Sequence, residues 1–237
     1  MNKLSTLHGQ ITLPSFFPDG TRGVVKTIDS IDLENAQVEG LVINTYHLLI
    51  AGLEEKIERI GGVHVLMDWK RPVITDSGGF QVMSLIHKDK SLGKMTDEGA
   101  TFKLPGFPKI ILTPEKSIQM QIKLGADILI CLDDCTKPDQ KLSEQEKSVE
   151  RTIAWALRCK LEFDKLTKLS KKKPLLFAVV QGGNNKKLRK KCAENLIKIG
   201  FDGYCFGGFP VDKNGKFLKS IMAYVASLLP DDKIKYA

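Results

Sequence analysis

No apolar run in this 237-residue chain approaches the roughly 20 residues of a membrane span. The N-terminus has no signal-peptide core either. Five cysteines, at 131, 135, 159, 192 and 205, are an odd number without a disulfide-framework spacing, which points to a reducing cytoplasm. Cys131 and Cys135 flank the end of an apolar run, but no second Cys/His pair completes a zinc set. The four histidines (8, 47, 64 and 87) all fall in the first half, and none forms a metal-ligand pair by spacing. Linker-like, repetitive and low-complexity stretches are absent as well. A hydrophobic fraction of 42% fits a soluble globular protein with a sizeable core.

The most informative feature present is Thr75 to Gln81, T-D-S-G-G-F-Q, directly after the apolar Pro72 to Ile74. Such a loop carries a carboxylate, a hydroxyl and two glycines whose backbone can approach a flat polar ligand closely. The same residues also make ordinary tight turns. Four further apolar runs repeat the design. Leu41–Ile43 leads into Asn44-Thr45-Tyr46-His47, and 127–132 leads into Asp133-Asp134-Cys135-Thr136. The run 175–180 leads into Gln181-Gly182-Gly183, and 203–206 into Gly207-Gly208-Phe209. Short continuous apolar runs are the pattern of strands buried on both faces. With helical periodicity between them, they predict an α/β fold, a (β/α)8 TIM-type barrel with polar groups at the carboxyl ends of its strands.

Helix signals support that order. Thr113, Pro114 and Glu115 suit an N-cap, a first helical position and the positive end of a helix dipole, and Gly125 closes the helix. Its expected inner face is Ile118, Gln121 and Ile122. Ser143 to about Lys165 is predicted helical, with Val149, Ile153, Ala156 and Leu157 as its buried stripe. Asn185 caps another helix, with Leu188, Cys192, Leu196 and Ile199 recurring before Gly200. Val24 to Lys26 is expected as the first strand and Lys235 to Ala237 as the entry to a last one. The count is about six strands and the start of a seventh, short of a closed barrel.

A net charge of +8 favours an anionic partner such as nucleic acid. The basic residues concentrate in Lys165 to Lys173 and in Lys186, Lys187, Arg189, Lys190 and Lys191, expected on the solvent side of a helix. No aromatics interleave them, which argues against a single-strand stacking platform.

Taken together, the motifs resemble the tRNA-guanine transglycosylases over nearly the whole chain. They run from 44–48 through Gly61-Gly62-Val63-His64, Arg71-Pro72, 75–81 and 97–102. They continue through 112–117, Asp133-Asp134-Cys135, 180–183 and 200–204 to Gly207-Gly208. The resemblance implies replacement of guanine in tRNA by a 7-deazaguanine through a covalent glycosyl-enzyme intermediate. By matching motif, Asp76 is the general acid/base and Asp133 pairs with the Watson–Crick edge of the base. Gln181 and the Gly208 N–H read the remaining polar edge, and Phe80 stacks on the ring. Ser77, Gly78 and Gly79 complete the substrate-binding loop. Asn44 and Tyr46 are expected to hold the loop network, Cys135 to pack, and Asp134 to stand where a glutamate is common.

Several features depart from the family pattern. The resemblance places the nucleophilic aspartate on the last barrel strand and a zinc subdomain of three cysteines and a histidine beyond it. Neither matches a position in these 237 residues. The expectation is therefore one C-terminally incomplete barrel domain, 1–237, without a cofactor of its own. Alone it should be inactive, with zinc expected in full-length relatives. Lys213 falls where bacterial relatives carry a glutamate for the aminomethyl group of preQ1. Asp212 could substitute. PreQ1 is the favoured incoming base, with queuine or an archaeosine precursor as alternatives. Expected partners are tRNA and the base, with a second copy or a complementary C-terminal chain as protein partner and no membrane. The alternative function is a non-catalytic tRNA-binding subunit, or the N-terminal half of a split enzyme.

Overall fold

The computed structural model describes residues 3–137, 140–212 and 214–237. In chain order the elements are β1 (Lys3–Thr6), β2 (Gly9–Thr12), α1 (Ser30–Asn35), β3 (Leu41–Ile43), α2 (Thr45–Ile50), α3 (Glu54–Ile60) and α4 (Val63–Met67). Then come β4 (Val73–Thr75), α5 (Gly79–Lys88), β5 (Gly93–Thr96), β6 (Gly99–Phe102), β7 (Ile110–Leu112), α6 (Pro114–Leu124) and β8 (Ile128–Ile130). The chain continues through α7 (Leu142–Thr167), β9 (Leu175–Val180), α8 (Lys186–Ile199), β10 (Gly203–Phe206), α9 (Lys219–Leu228) and β11 (Ile234–Tyr236).

Six strands form one parallel sheet in the order β11-β10-β9-β8-β4-β3. Each strand lies beside its predecessor in the set, in registers such as Leu41↔Val73, Leu129↔Leu176 and Tyr204↔Ala178. Sequential parallel strands joined through helices are the progression of a (β/α) barrel. This sheet is an open part of one, because β3 and β11 do not pair with each other. The strands are apolar on both sides, as their continuous runs predict. Ile128, Ile130, Phe177, Val179 and Cys205 meet Ile11 and Ile74 in the interior. Their neighbours Leu129, Leu176, Ala178, Val180 and Tyr204 pack beneath the helices. The antiparallel β1–β2 hairpin delivers Ile11 into the interior cluster. A second antiparallel sheet, β5–β6–β7, lies between α5 and α6 in the chain.

Three expectations need correction. Val24 to Lys26 is not a strand, and Val24 is 54% exposed. The position beside β3 is taken instead by residues 18–20, through a parallel bridge between Asp19 and Val42. Gly20 N–H donates to Val42 O at 2.7 Å and Val42 N–H to Pro18 O at 3.0 Å. On α7 Leu157 is exposed. The buried stripe runs instead through Val149, Thr152, Trp155, Ala156, Cys159 and Phe163. Trp155, fully buried, sets the helix rotation by donating its indole N–H to Asp97 O at 2.7 Å. Arg189, placed on the solvent side of α8 by its lysine neighbours, is only 1% exposed. Its position shares the inward face with Leu188 and Cys192.

The cap signals are realised as expected. Thr113 Oγ1 accepts from Lys116 N–H, Gly125 ends α6 in the left-handed region, and Asn185 accepts from the N–H groups of Lys187 and Leu188. Gln121 does more than share a face. Its amide donates to Ser117 Oγ and Ile130 O, and its carbonyl accepts from Thr75 Oγ1 and Ile130 N–H. One fully satisfied buried amide thereby fixes the adjoining ends of β4 and β8, from which Asp76 and Asp133 emerge.

Candidate base-binding site at the carboxyl ends of the strands

A cavity of about 230 Å³ opens where β4, β8, β9 and β10 end. Asp76, Phe80, Asp133 and Gly208 line it, with Cys135 and Tyr236. Gln181 reaches the same place by donating Nε2–H to Asp133 Oδ2 at 2.6 Å.

Asp76 is aimed by two segments, the end of β3 and its own loop. Its carboxylate accepts from Asn44 Nδ2 at 2.9 Å, Thr45 N–H at 3.1 Å and Gly78 N–H at 3.0 Å. The last bond needs the left-handed turn at Gly78 (φ 74°), where a Cβ would also approach Thr45 Oγ1 to 3.0 Å. Ser77 faces elsewhere. Its hydroxyl accepts from Gly79 N–H at 3.3 Å, and its carbonyl accepts from Ser117 Oγ. Ser77, Gly78 and Gly79 therefore shape the loop beside the cavity, while Asp76 and Phe80 meet the cavity itself. Asn44 spans the network by accepting from Tyr46 N–H while donating to Asp76. Tyr46 is buried in the core beside Phe102.

The two acids carry related electrostatics. Half-buried on the cavity wall, Asp76 is raised to about 6 by desolvation, although the N–H donors of Thr45 and Gly78 pull the other way. Asp133 is raised to about 6 first by desolvation and then by the charges of Asp134 and Asp76, against hydrogen bonds from Gln181 and its own backbone N–H. Carboxyls poised near neutrality can hold or release a proton at little cost. Asp134 turns away: its carboxylate pairs with Arg151, and its N–H donates to Thr152 Oγ1 at 3.1 Å, tying the loop to α7. The Cys135 thiol lies on the cavity wall, with burial pushing it far above its ordinary range, so it stays protonated.

Phe80, 42% exposed, sits against Phe209 with ring centroids 5.4 Å apart. Among the described residues nothing accepts from the Gly208 N–H. The site thus presents carboxylate acceptors, an amide, an unused N–H and an aromatic face, which complement the edge and face of a purine. Phe209, Tyr236 and Cys205 are parts of this setting that motif reading did not single out. Lys213 lies outside the described residues. Asp212 lines an adjoining cavity of about 420 Å³ and accepts through Oδ1 from Asn214 N–H and Lys216 N–H, closing a tight turn.

The histidine spacing concealed another cluster. His8, His64 and Asp127 meet at the opposite ends of the strands, with ligand atoms within 4.8 Å of one another. The carboxylate is already saturated. Oδ1 faces His8 N–H and Nδ1, and Oδ2 faces His64 Nε2 and Val73 N–H. A cation there would have to displace these donors. The five cysteines are all buried and free. None of these residues fits a set of three cysteines and a histidine for zinc.

The sequence profile of the family described as queuine tRNA-ribosyltransferase matches residues 1–237. A queuine tRNA-ribosyltransferase from Psychrobacter sp. (strain PRwf-1) is 40% identical over 230 residues, covering 97% of this chain and 58% of the relative. Those from Halothermothrix orenii and Thermotoga neapolitana are 37% and 40% identical, covering 61% and 59% of their own lengths. The chain thus spans less than two thirds of the curated relatives it matches. With the profile matched along residues 1–237, the chain belongs to the queuine tRNA-ribosyltransferase family.

Proposed function

We propose that the cavity binds guanine and 7-deazaguanine bases edge-on, and that the chain serves guanine exchange in tRNA in queuosine biosynthesis, in the cytoplasm. The observation that carries this reading is the convergence of Asp76, Asp133 and Gly208 on one small cavity beside Phe80, with Gln181 bonded to Asp133 from the adjoining cavity. Ionised Asp133 accepts from the N1–H and amino group of guanine. Gln181 keeps one amide proton on Asp133 and offers the other, with the Gly208 N–H, to the base carbonyl. Phe80 covers the ring. Asp76 holds or releases the proton exchanged as one base replaces another, a role suited to a carboxyl near 6.

The covalent step needs a nucleophile, and the resemblance assigns none to these 237 residues. The chain alone should therefore bind the base without exchanging it. An intact pocket speaks for an exchange enzyme, complete or supplied by a second chain, over a scaffold that only holds tRNA. PreQ1 is the proposed incoming base. Asp212 supplies a carboxylate beside the site, with Oδ2 making no hydrogen bond among the described residues. Zinc belongs to this proposal only through longer relatives.

Calorimetric titration of the purified chain tests the reading. Guanine should bind about 100-fold or more tighter than adenine, because adenine leaves buried polar groups unmatched. Labelled guanine should not enter tRNA. Equal affinity for both purines would overturn the assignment of the cavity, and label incorporation would overturn the predicted inactivity.

A further inference from the structure

Arg189 has no place in the reading above, yet it is among the largest fully buried side chains. It sits on α8 against the two loops that carry Gln181 and Gly208, and it lines the adjoining cavity of about 420 Å³ together with both. Its Nε–H donates to Gly183 O at 2.8 Å, and Nη1 donates to Val180 O. These two carbonyls bracket Gln181 in the chain. The guanidinium also lies over the Phe206 ring, with Cζ 4.2 Å from its centroid, immediately before Gly207 and Gly208. One planar group therefore touches the end of β9 and the end of β10. Among the described residues no carboxylate pairs with it.

The surroundings leave little slack. A Cβ at Gly207 would lie 2.6 Å from Val179 Cγ1 and 2.7 Å from Gln181 Nε2, so the Gln181 amide is pressed against the β10 turn. A Cβ at Gly182 would meet the Arg189 backbone N at 2.7 Å. The loop is thus held from below by α8 and from the side by β10, with the arginine fork as the polar link. Burial holds Arg189 down to about 10, so it remains a cation at neutral pH. Keeping such a group on the inward face is costly, and the two backbone carbonyls and the Phe206 ring are what offset it there.

We infer that Arg189 is a positioning residue for base recognition: its fork holds Val180 O and Gly183 O on either side of Gln181 while its plane steadies Phe206, fixing the amide and the Gly208 N–H as one purine-reading wall. The inference rests on the proposed base site. A lysine could reach one carbonyl but not bridge two, and it lacks the flat face for Phe206.

The test compares guanine and adenine binding by the full chain and its Arg189→Met and Arg189→Lys variants, with Leu196→Ala as a destabilised control. Leu196 is buried on the same helix but lies outside the cavity. Arg189→Met should weaken guanine binding about 10–100-fold, the scale of a hydrogen bond to a charged group, and narrow the preference over adenine. Arg189→Lys should recover only part of the loss. Leu196→Ala should lower thermal stability and leave the purine preference of the folded protein intact. The side-chain amide resonances of Gln181 should shift in both arginine variants and stay in place in the control, which reads the effect even where binding is weak. Folded Arg189 variants with unchanged guanine affinity and unchanged Gln181 resonances would overturn the inference. A wild-type chain that binds no guanine would instead sink the base-site reading itself.

Discussion

Asp127 and the pair Asp76 and Asp133 are carboxylates at opposite ends of the same parallel sheet, and their environments drive them apart. At the amino end Asp127, fully buried, is met by two backbone N–H groups and two imidazoles. Burial raises its pKa, but the His64 and Val73 contacts and the histidine charges outweigh it, leaving Asp127 below the usual carboxylate range. At the carboxyl end Asp133 has a single side-chain donor, Gln181, beside its own backbone N–H, and with desolvation and carboxylate neighbours it rises to about 6. Asp76 has more donors, yet desolvation still wins. Asp133, short of donors, is the carboxylate with capacity left for a ligand, whereas Asp127 and Asp76 each take four contacts and differ in their source, two histidines and backbone for one and the strand-end loops for the other. In barrels the same division separates the stability face from the chemical face.

The sharpest way to break the comparison is Asp127→Ala. It removes the group that joins the β1–β2 hairpin, α4 and β8, and should cost about 3–5 kcal/mol, the range for removing one partner of a buried ionic cluster. Denaturant unfolding would measure it, and a loss under about 1 kcal/mol would mean the cluster adds little. Asp133→Asn should act in the opposite direction. A carboxyl with a folded value near 6 and an ordinary unfolded value near 4 binds more protons when folded, so its contribution to stability falls as pH rises through that window. At pH 7.5 the neutral amide should therefore stabilise the fold by about 2 kcal/mol while guanine affinity falls. The gain should vanish below about pH 4, as parallel melting curves would show. The smallest expected effect is on binding in the unaltered chain: guanine affinity should decline as pH drops below about 6, toward tenfold per unit, as Asp133 takes up its proton. A flat profile from pH 7.5 to 5 would contradict an anionic Asp133 as the base acceptor.

Much of the carboxyl end was legible because its signals are local. Apolar runs ending at Asp76, Asp133, Gln181 and Gly207 mark strand ends by composition alone, and a parallel sheet places such ends on one side. The caps at Thr113 and Asn185 are likewise encoded within a few residues. Local signals failed where several residue types compete for one face. The charge of Arg189 suggested solvent, but helix geometry points it inward and backbone carbonyls accept it. Val24 to Lys26 had the apolar character of a strand, yet the chain reaches β3 earlier, at Asp19. Leu157 lost its place to Trp155, whose bulk and indole N–H decided the face of α7.

The sequence by itself determined the strand–helix alternation, the family, and which polar residues stand at the strand ends, because each depends on patterns a few residues long. Tertiary structure alone decided that His8 meets Asp127 across 119 positions, that Ser77 turns from the cavity where Asp76 faces it, and that Arg189 lies against the loop of Gln181. Those outcomes depend on which distant groups share a dry interior. There each donor and acceptor must find its partner across the fold, and periodicity along the chain carries no record of that match.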